Sequence, residues 1–122
     1  MDVVDLPRFR RTVDRLGEPF VRRLFTDGEA AYADRSPRRR AERLAARFAA
    51  KEAFGKALGL GMTGRSQWRE IEVEHDPRGR PLLVLHGETA RHAEEFGVRH
   101  LHLSLSHDGD VAAAMVVLEG EP

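Results

Sequence analysis

The chain has 122 residues, no cysteine and a formal net charge of zero. This length predicts one domain, in which an active site is easiest to form between subunits, and the lack of cysteine excludes a disulfide scaffold and a thiolate metal site. A neutral chain argues against general nucleic-acid binding, and we expect no membrane span or signal peptide, which predicts a cytoplasmic protein.

The charge is unevenly distributed along the chain. Residues 1–65 carry thirteen Arg and two Lys against nine Asp and Glu, a net +6. Residues 66–122 carry five Arg against eleven Asp and Glu, a net −6. The basic half suits an acidic protein partner or a phosphorylated ligand. The alternative is a helical half with solvated Arg and a sheet half with solvated Glu.

The first half of the chain predicts the end of a strand at residues 1–6, followed by helices. Pro7 favours the first turn of a helix that Gly17 ends. Thr26 and Glu29 have the spacing of a capping box, which opens a further helix. The approximate bounds of the predicted helices are 7–16, 18–25, 26–32 and 38–58, with a polar junction at 35–40.

The longest of these helices carries the most informative stretch, from Arg47 to Gly61. At about 100° per residue, Arg47, Lys51 and Glu52 fall within the apolar arc that marks the buried face. Charged side chains among core residues must be paired with an opposite charge or must coordinate a ligand or a metal ion, because an isolated buried charge is costly. This face of the helix therefore predicts a site.

Lys51 and Lys56 are the only lysines among twenty cationic residues. Lysine provides a compact, rotatable ammonium where arginine provides a planar fork. The two positions therefore favour a point charge for phosphate binding or proton transfer. The alternative is an ordinary surface pair between Glu52 and Lys56 at i,i+4.

Three glycines, Gly59, Gly61 and Gly64, follow within six residues. The permissive glycine backbone lets amide groups approach an anion closely. Such a stretch is equally typical of a helix end and a loop. Beside the two lysines, it favours anion binding.

The second half predicts mostly strands, with approximate bounds 71–74, 81–86, 100–107 and 111–118, and a helix at 88–96. The 100–107 segment alternates, with leucines inward and His or Ser outward. The last strand is apolar, and we expect it to be buried. His107 ends a strand beside an acid-rich turn, a natural place for a site, whereas a histidine metal cluster is disfavoured because no third ligand has suitable spacing.

Three segments resemble one family. Asp2 to Phe9 resembles its N-terminal Gly-x-Asp-x-Val-x-x-x-Arg motif, Arg47 to Gly59 its most diagnostic motif, and Leu103 to Asp108 its C-terminal Ser-x-Ser/Thr-His strand. The family is holo-acyl-carrier-protein synthase, the small 4′-phosphopantetheinyl transferase, and the resemblance covers nearly the whole chain. It implies an α+β fold, with helices packed on a small antiparallel sheet, and a homotrimer with active sites at subunit interfaces.

The resemblance also implies an activity. The phosphopantetheine arm of coenzyme A would be transferred to a serine of apo acyl carrier protein with the help of Mg²⁺, releasing adenosine 3′,5′-bisphosphate. The implied site residues are Asp2 and Glu52 for Mg²⁺, Lys56 for the leaving phosphate, Arg47, Lys51, Gly59 and Gly61 for nucleotide phosphates, Ser106 and His107 for the nucleotide end from a neighbouring subunit, His107 or Asp108 for deprotonating the serine, and Arg8 for the acidic helix of the carrier.

One departure from the family concerns the start of the chain. The family has a short strand before the magnesium aspartate, whereas only Met1 precedes Asp2 here. We therefore expect a single transferase domain over residues 1–122 whose first strand is truncated before Asp2. Two other functions stay open: a metal-impaired, non-catalytic trimer that binds coenzyme A or carrier protein, and a transferase specific for polyketide or peptide carrier domains.

Overall fold

The structure is a computed structural model that describes residues 1–62 and 65–121, without the side chains of residues 65 and 66. Its elements in chain order are β1 (Asp2–Asp5), α1 (Leu6–Leu16), α2 (Glu18–Leu24), α3 (Asp27–Asp34), α4 (Arg40–Leu58), α5 (Arg65–Glu70), β2 (Ile71–His75), β3 (Pro81–Leu85), α6 (Gly87–Glu95), β4 (Val98–Asp108) and β5 (Val111–Gly120). A short 3₁₀ turn, Pro37–Arg39, precedes α4. The predicted α+β fold is confirmed.

Local signals explain where the first helices begin and end. Helix α1 starts where the Asp5 carboxylate accepts a hydrogen bond from the Arg8 amide, and it ends at Gly17, whose φ is +71°. Helix α3 opens with the predicted capping box. The Glu29 amide donates to Thr26 Oγ1 at 3.1 Å and the Thr26 amide donates to the Glu29 carboxylate at 2.9 Å.

Two antiparallel sheets are formed, one of three strands in the order β1-β5-β4 and one of two strands, β2-β3. Strand β1 is short, but each of its residues is paired with β5, and Asp2 lies opposite Ala114. On the other side of β5, Ala114 lies opposite Leu105 of β4. The register therefore fixes Asp2 within a sheet, near the strand that carries Ser106 and His107.

Helix α4 packs across one face of the three-stranded sheet. Its buried apolar residues, which include Leu44, Phe54 and Leu58, meet Ala112, Ala114 and Val116 of β5. Burial of this apolar surface is the main driving force for the arrangement. Among the described residues, no helix combines the length and the apolar character needed to cross a membrane.

The other face of the three-stranded sheet is uncovered in the single chain. Met115 and Val117 are each 49% exposed, and Val3 and Val111 are also exposed. The prediction that the strand at residues 111–118 is buried therefore holds for only one of its two faces in the single chain. Successive side chains of a strand point to opposite faces, and only one face meets α4.

Candidate functional site

Strand β1 and helix α4 bring together three of the predicted site residues. The Lys56 ammonium lies 3.1 Å from Asp2 Oδ1, although 54 residues separate them. Burial raises the pKa of the Glu52 carboxyl, the Asp2 charge raises it further, and Lys56 partly offsets the rise. Two carboxylates and one ammonium therefore share a partly buried site.

Asp2 has unused capacity to bind a cation. Its side chain is only 13% exposed, and its Oδ2 atom is buried without a hydrogen-bond partner. A buried carboxylate oxygen without a partner is costly, and a cation would satisfy it.

The donor set near Asp2 fits Mg²⁺ held partly by the substrate. Among the residues that the structure describes, no group of three or more His, Cys, Asp or Glu could enclose a metal ion. Magnesium commonly takes one or two carboxylates and completes its octahedron with phosphate oxygens and water. Asp2 and Glu52 would hold the ion, and the phosphates of a ligand would supply further oxygens.

A groove of about 350 Å³ lies beside Glu52, between α1 and α4. Arg8 and Thr12 of α1 line it together with Phe48 and Glu52 of α4. The Phe48 ring stacks on Trp68 at 5.2 Å between centroids, which fixes the wall of the groove. The structure therefore places the predicted docking residue Arg8 and the predicted metal ligand Glu52 on one groove.

Lys51 lies in the interior and not in the site, which corrects its predicted role in phosphate binding. Its ammonium donates to Glu29 Oε1 at 2.7 Å and to the carbonyl oxygens of Trp68 and Ile71 at 2.7 and 2.6 Å. The side chain is fully buried. Because all three N–H groups of the ammonium are occupied, Lys51 holds α4 against α3, α5 and β2 and has no donor left for a phosphate.

The predicted role of Gly59 in phosphate binding also needs correction. The Gly59 amide donates to the Lys56 carbonyl at 3.3 Å, with φ of +79°, so this residue caps α4 and its amide is already used. Gly61 is exposed. Gly64 lies outside the described residues.

A second groove, of about 200 Å³, runs between α4 and the end of β4. Arg39, Arg43 and Arg47 line it at i,i+4 spacing, opposite Ser106 and His107. The structure thus brings together three predicted nucleotide-binding residues, Arg47, Ser106 and His107. Asp108 follows His107 and is exposed at the end of β4.

Tyr32 organises the cations of this second groove. The guanidinium carbons of Arg43 and Arg47 lie 4.5 and 4.4 Å from the centre of its ring, and His75 stacks on the ring at 4.3 Å. Such contacts stabilise cations over an aromatic face. The groove therefore presents arginines that are held in place before a ligand arrives.

Arg47 is the most buried cation of the groove, and burial lowers its pKa. Its Nη1 donates to the Arg43 carbonyl at 2.9 Å, and its Nη2 lies 3.3 Å from His75 Nε2, while Nε is buried without a partner. Arginine can only donate, so His75 Nε2 must accept. Burial, followed by the charges of Arg47 and Arg43, correspondingly lowers the pKa of His75.

The two grooves lie on different sides of α4. At about 100° per residue, Phe48 and Glu52 lie about 140° around the helix from Arg43 and Arg47. Among the described residues, none lines both grooves. A ligand that contacts Glu52 and His107 together must therefore lie between two copies of the chain or pass around α4.

Several residues of the second groove were missed by the sequence analysis. They are Tyr32, Arg39, Glu42, Arg43 and His75. The i,i+4 spacing of Arg39, Arg43 and Arg47 was a readable signal of a basic stripe on one helix face. The contacts of Tyr32 and His75 had no local signal, because they join α3, α4 and β2.

Comparison with known proteins gives concordant results over almost the whole chain. The model of the 4'-phosphopantetheinyl transferase superfamily matches residues 1–116. Holo-[acyl-carrier-protein] synthase of Koribacter versatilis is 44% identical over 119 residues, which cover 98% of this chain and 94% of that protein.

Solved structures show the same similarity. Holo-[acyl-carrier-protein] synthase from Neisseria meningitidis matches with a TM-score of 0.87 and 36% identity, covering 97% of this chain and 94% of that one. The Chronobacterium ammoniagenes ACPS-CoA complex matches with a TM-score of 0.85 and 37% identity, covering 99% and 95%.

Proposed function

We propose that this chain, which belongs to the 4'-phosphopantetheinyl transferase superfamily and is an enzyme of the holo-[acyl-carrier-protein] synthase type, transfers the phosphopantetheine arm of coenzyme A to a serine of acyl carrier protein. In this proposal Mg²⁺ is the cofactor and adenosine 3′,5′-bisphosphate is the second product. The observation that carries this proposal is the convergence of Asp2, Glu52 and Lys56, of which Glu52 lines the groove beside α1. The coenzyme A complex of a similar enzyme supports the choice of donor.

The reacting end of the site is formed by β1 and the C-terminal half of α4. Asp2 and Glu52 would hold Mg²⁺, and the bound ion would supply stabilisation of the charge on the phosphoryl group under attack. The exposed Lys56 ammonium, anchored by Asp2, neutralises or protonates the leaving phosphate. Arg8 lies on the groove next to Glu52 and attracts the acidic helix of the carrier, so that the carrier serine arrives beside the metal site.

The nucleotide end binds in the second groove, on a neighbouring subunit. Arg47 and Arg43 contribute positive charge, and Ser106 and His107 contribute hydrogen-bonding groups. Gly61, exposed after α4, remains a further amide donor in this proposal. His107 or the adjacent Asp108 accepts the serine proton. The position of the two grooves on different sides of α4 supports a site shared between subunits.

The proposed assembly is a homotrimer. The uncovered face of the three-stranded sheet carries Val3, Val111, Met115 and Val117. An apolar face of this kind favours association, because burial removes it from water. The uncovered sheet face supports self-association, and the number of three subunits follows from the family resemblance.

One alternative is a non-catalytic binder of coenzyme A that has lost its metal. That alternative depended on the position of Asp2, which only Met1 precedes. In the structure Asp2 is paired with Ala114 and bonded to Lys56, an arrangement that supports the catalytic proposal. The class of carrier stays open, since contacts from Arg8 would suit the acidic helix of a fatty-acid, polyketide or peptide carrier.

Intact-mass spectrometry tests the proposal. Apo carrier proteins of the fatty-acid and polyketide classes are incubated with the chain, coenzyme A and Mg²⁺, and with EDTA in a parallel sample. We expect a mass gain of one phosphopantetheine arm, abolished by EDTA. Coenzyme A binding without any mass gain on either carrier would support the non-catalytic alternative, and a gain unaffected by EDTA would remove the metal assignment.

A further inference from the structure

The imidazole of His107 is paired within its own chain. His107 Nδ1 lies 2.6 Å from Glu42 Oε1, a contact that joins the end of β4 to the first turn of α4. The Glu42 side chain is only 22% exposed, while that of His107 is 61% exposed. Glu42 thus holds the inner edge of a ring whose remainder is accessible.

This contact fixes which nitrogen of His107 carries a proton. An ionised carboxylate can only accept hydrogen bonds, so an approach of 2.6 Å is favourable when Nδ1 carries a proton. Nε2 is then the one ring nitrogen left for a ligand, and a ring that binds phosphate leaves Asp108 as the candidate to accept the serine proton. The second groove, which both Glu42 and His107 line, also contains the arginine stripe of Arg39, Arg43 and Arg47.

The Glu42 carboxylate is unfavourable in a groove that binds anions unless it is paired with another side chain. An acidic side chain among three arginines weakens the attraction of the groove for an anion. Its carboxylate is directed to His107, and that pairing reduces the cost. When Nε2 is protonated, it can donate to a phosphate oxygen, and the facing carboxylate balances the charge of the ring.

We propose that Glu42 is a positioning residue for the bound nucleotide: by accepting from His107 Nδ1, it directs the Nε2 atom of His107 toward a phosphate of coenzyme A in the arginine groove. The inference rests on the proposed function, because it takes coenzyme A as the ligand. Glu42 acts through His107 and need not touch the ligand. This positioning role differs from that of a purely structural contact between β4 and α4. Loss of a purely structural contact would affect stability and leave the protonation of the imidazole unchanged.

A double-mutant cycle with calorimetry tests the role of Glu42. Glu42→Ala should weaken coenzyme A binding about tenfold, the scale of one charge-assisted hydrogen bond. Glu42→Gln should weaken it less, because the amide oxygen still accepts from Nδ1. In a His107→Ala background, Glu42→Ala should cause no further loss. Glu88→Gln, an exposed change on α6, is the matched control and should bind like the unmodified chain.

Nitrogen-15 NMR reports the protonation of the His107 imidazole, which loss of a purely structural contact would not change. In the coenzyme A complex of the unmodified chain, both ring nitrogens of His107 should carry protons, whereas in the Glu42→Ala complex the ring should keep a proton on Nε2 alone. Urea unfolding of each variant shows whether it is folded. Unchanged protonation of the ring in Glu42→Ala, or an equal loss of binding with and without His107, would overturn the inference.

The inference and the proposed function fail in different ways. If the chain binds coenzyme A and Glu42→Ala has the expected effects, but no carrier gains mass, the proposed transfer fails and the role of Glu42 stands. If carriers gain mass and Glu42→Ala binds coenzyme A normally, only the inference fails. A chain that binds no coenzyme A would overturn both.

Discussion

The Lys51 ammonium and the Glu29 carboxylate lie 2.7 Å apart, and both side chains are fully buried. Glu29 also accepts from the amides of Thr26 and Val73, at 2.9 Å in each case. Burial lowers the pKa of Lys51, and the Glu29 charge opposes that change. The pair therefore joins α3, α4 and β2 through charges that are acceptable in the interior only while both are present.

Breaking this pair should destabilise the fold. We expect Lys51→Met to lower the free energy of unfolding by about 3–5 kcal/mol, because it leaves the Glu29 charge buried and uncompensated. Urea unfolding monitored by circular dichroism measures the change. Lys51→Met combined with Glu29→Gln should recover part of the loss. Lys56→Met, at the exposed lysine, is the control and should change stability by about 0.5 kcal/mol or less; equal losses at both lysines would contradict the buried-pair account.

Glu52→Gln should separate metal binding from folding. The amide removes a carboxylate charge that burial and Asp2 disfavour, so the variant should be slightly more stable than the unmodified chain in EDTA. Its turnover should fall by about 10²-fold or more, since loss of a metal ligand removes charge stabilisation of the reacting phosphoryl group. Thermal unfolding with and without Mg²⁺, together with the mass assay, measures both effects. Turnover near that of the unmodified chain would exclude Glu52 as a metal ligand.

Lys56→Arg should impair transfer although it conserves charge. The Lys56 side chain is 69% exposed and its ammonium lies 3.1 Å from Asp2 Oδ1, a position that a bulkier planar fork cannot reproduce. We expect kcat to fall about tenfold or more with a smaller change in KM, because the effect falls on the leaving phosphate. Arg99→Lys, an exchange on the exposed start of β4, serves as the control. Full activity of Lys56→Arg would show that the reaction does not require lysine rather than arginine at this position.

His75 should make stability depend on pH. Burial and the charges of Arg47 and Arg43 lower its pKa from the ordinary value of 6.5. Between the lowered value and 6.5 the unfolded chain binds more protons, so stability increases with pH in this range and is lost as the pH falls below about 6.5. His75→Gln keeps an acceptor for Arg47 but cannot be protonated. Urea midpoints at pH 7.5 and 5.5 should therefore differ less for the variant; an equal difference would assign the pH dependence to other groups.

A charge on the uncovered sheet face should prevent assembly. Met115→Arg or Val117→Arg places a cation where each native side chain is 49% exposed in the single chain. If this face is buried between subunits, the change leaves an unpaired buried charge and dissociates the oligomer. Sedimentation velocity measures the change. Leu16→Arg, at an exposed apolar residue outside the sheet, is the control, and an unaltered sedimentation coefficient in both sheet variants would place the interface elsewhere.

Much of the fold could be predicted from short-range patterns. Pro7, Gly17 and the Thr26–Glu29 capping box act within one helical turn, so their effect does not depend on distant residues. These predictions were confirmed because the interaction that defines each element lies inside the element.

The candidate site was only partly predictable. Helical periodicity assigned Lys51 and Glu52 to one face of α4, but the two side chains have different surroundings. Lys51 meets Glu29, which is 22 residues away, and Glu52 lies near Asp2, which is 50 residues away. A pattern read along the chain reports which side chains are directed inward, and it does not report which distant group each one meets.

The sequence by itself determined the helices other than α5, the paired strands, the predominance of arginine over lysine and the motifs that place the chain in its family. The tertiary structure decided that Lys51 belongs to the core, that Asp2 and Lys56 meet, and that His107 is paired with Glu42. The physical reason is the distance along the chain over which each interaction acts. Propensity, capping and periodicity act over a few residues, whereas burial and ion pairing depend on contacts that exist only once the sheet has packed on α4.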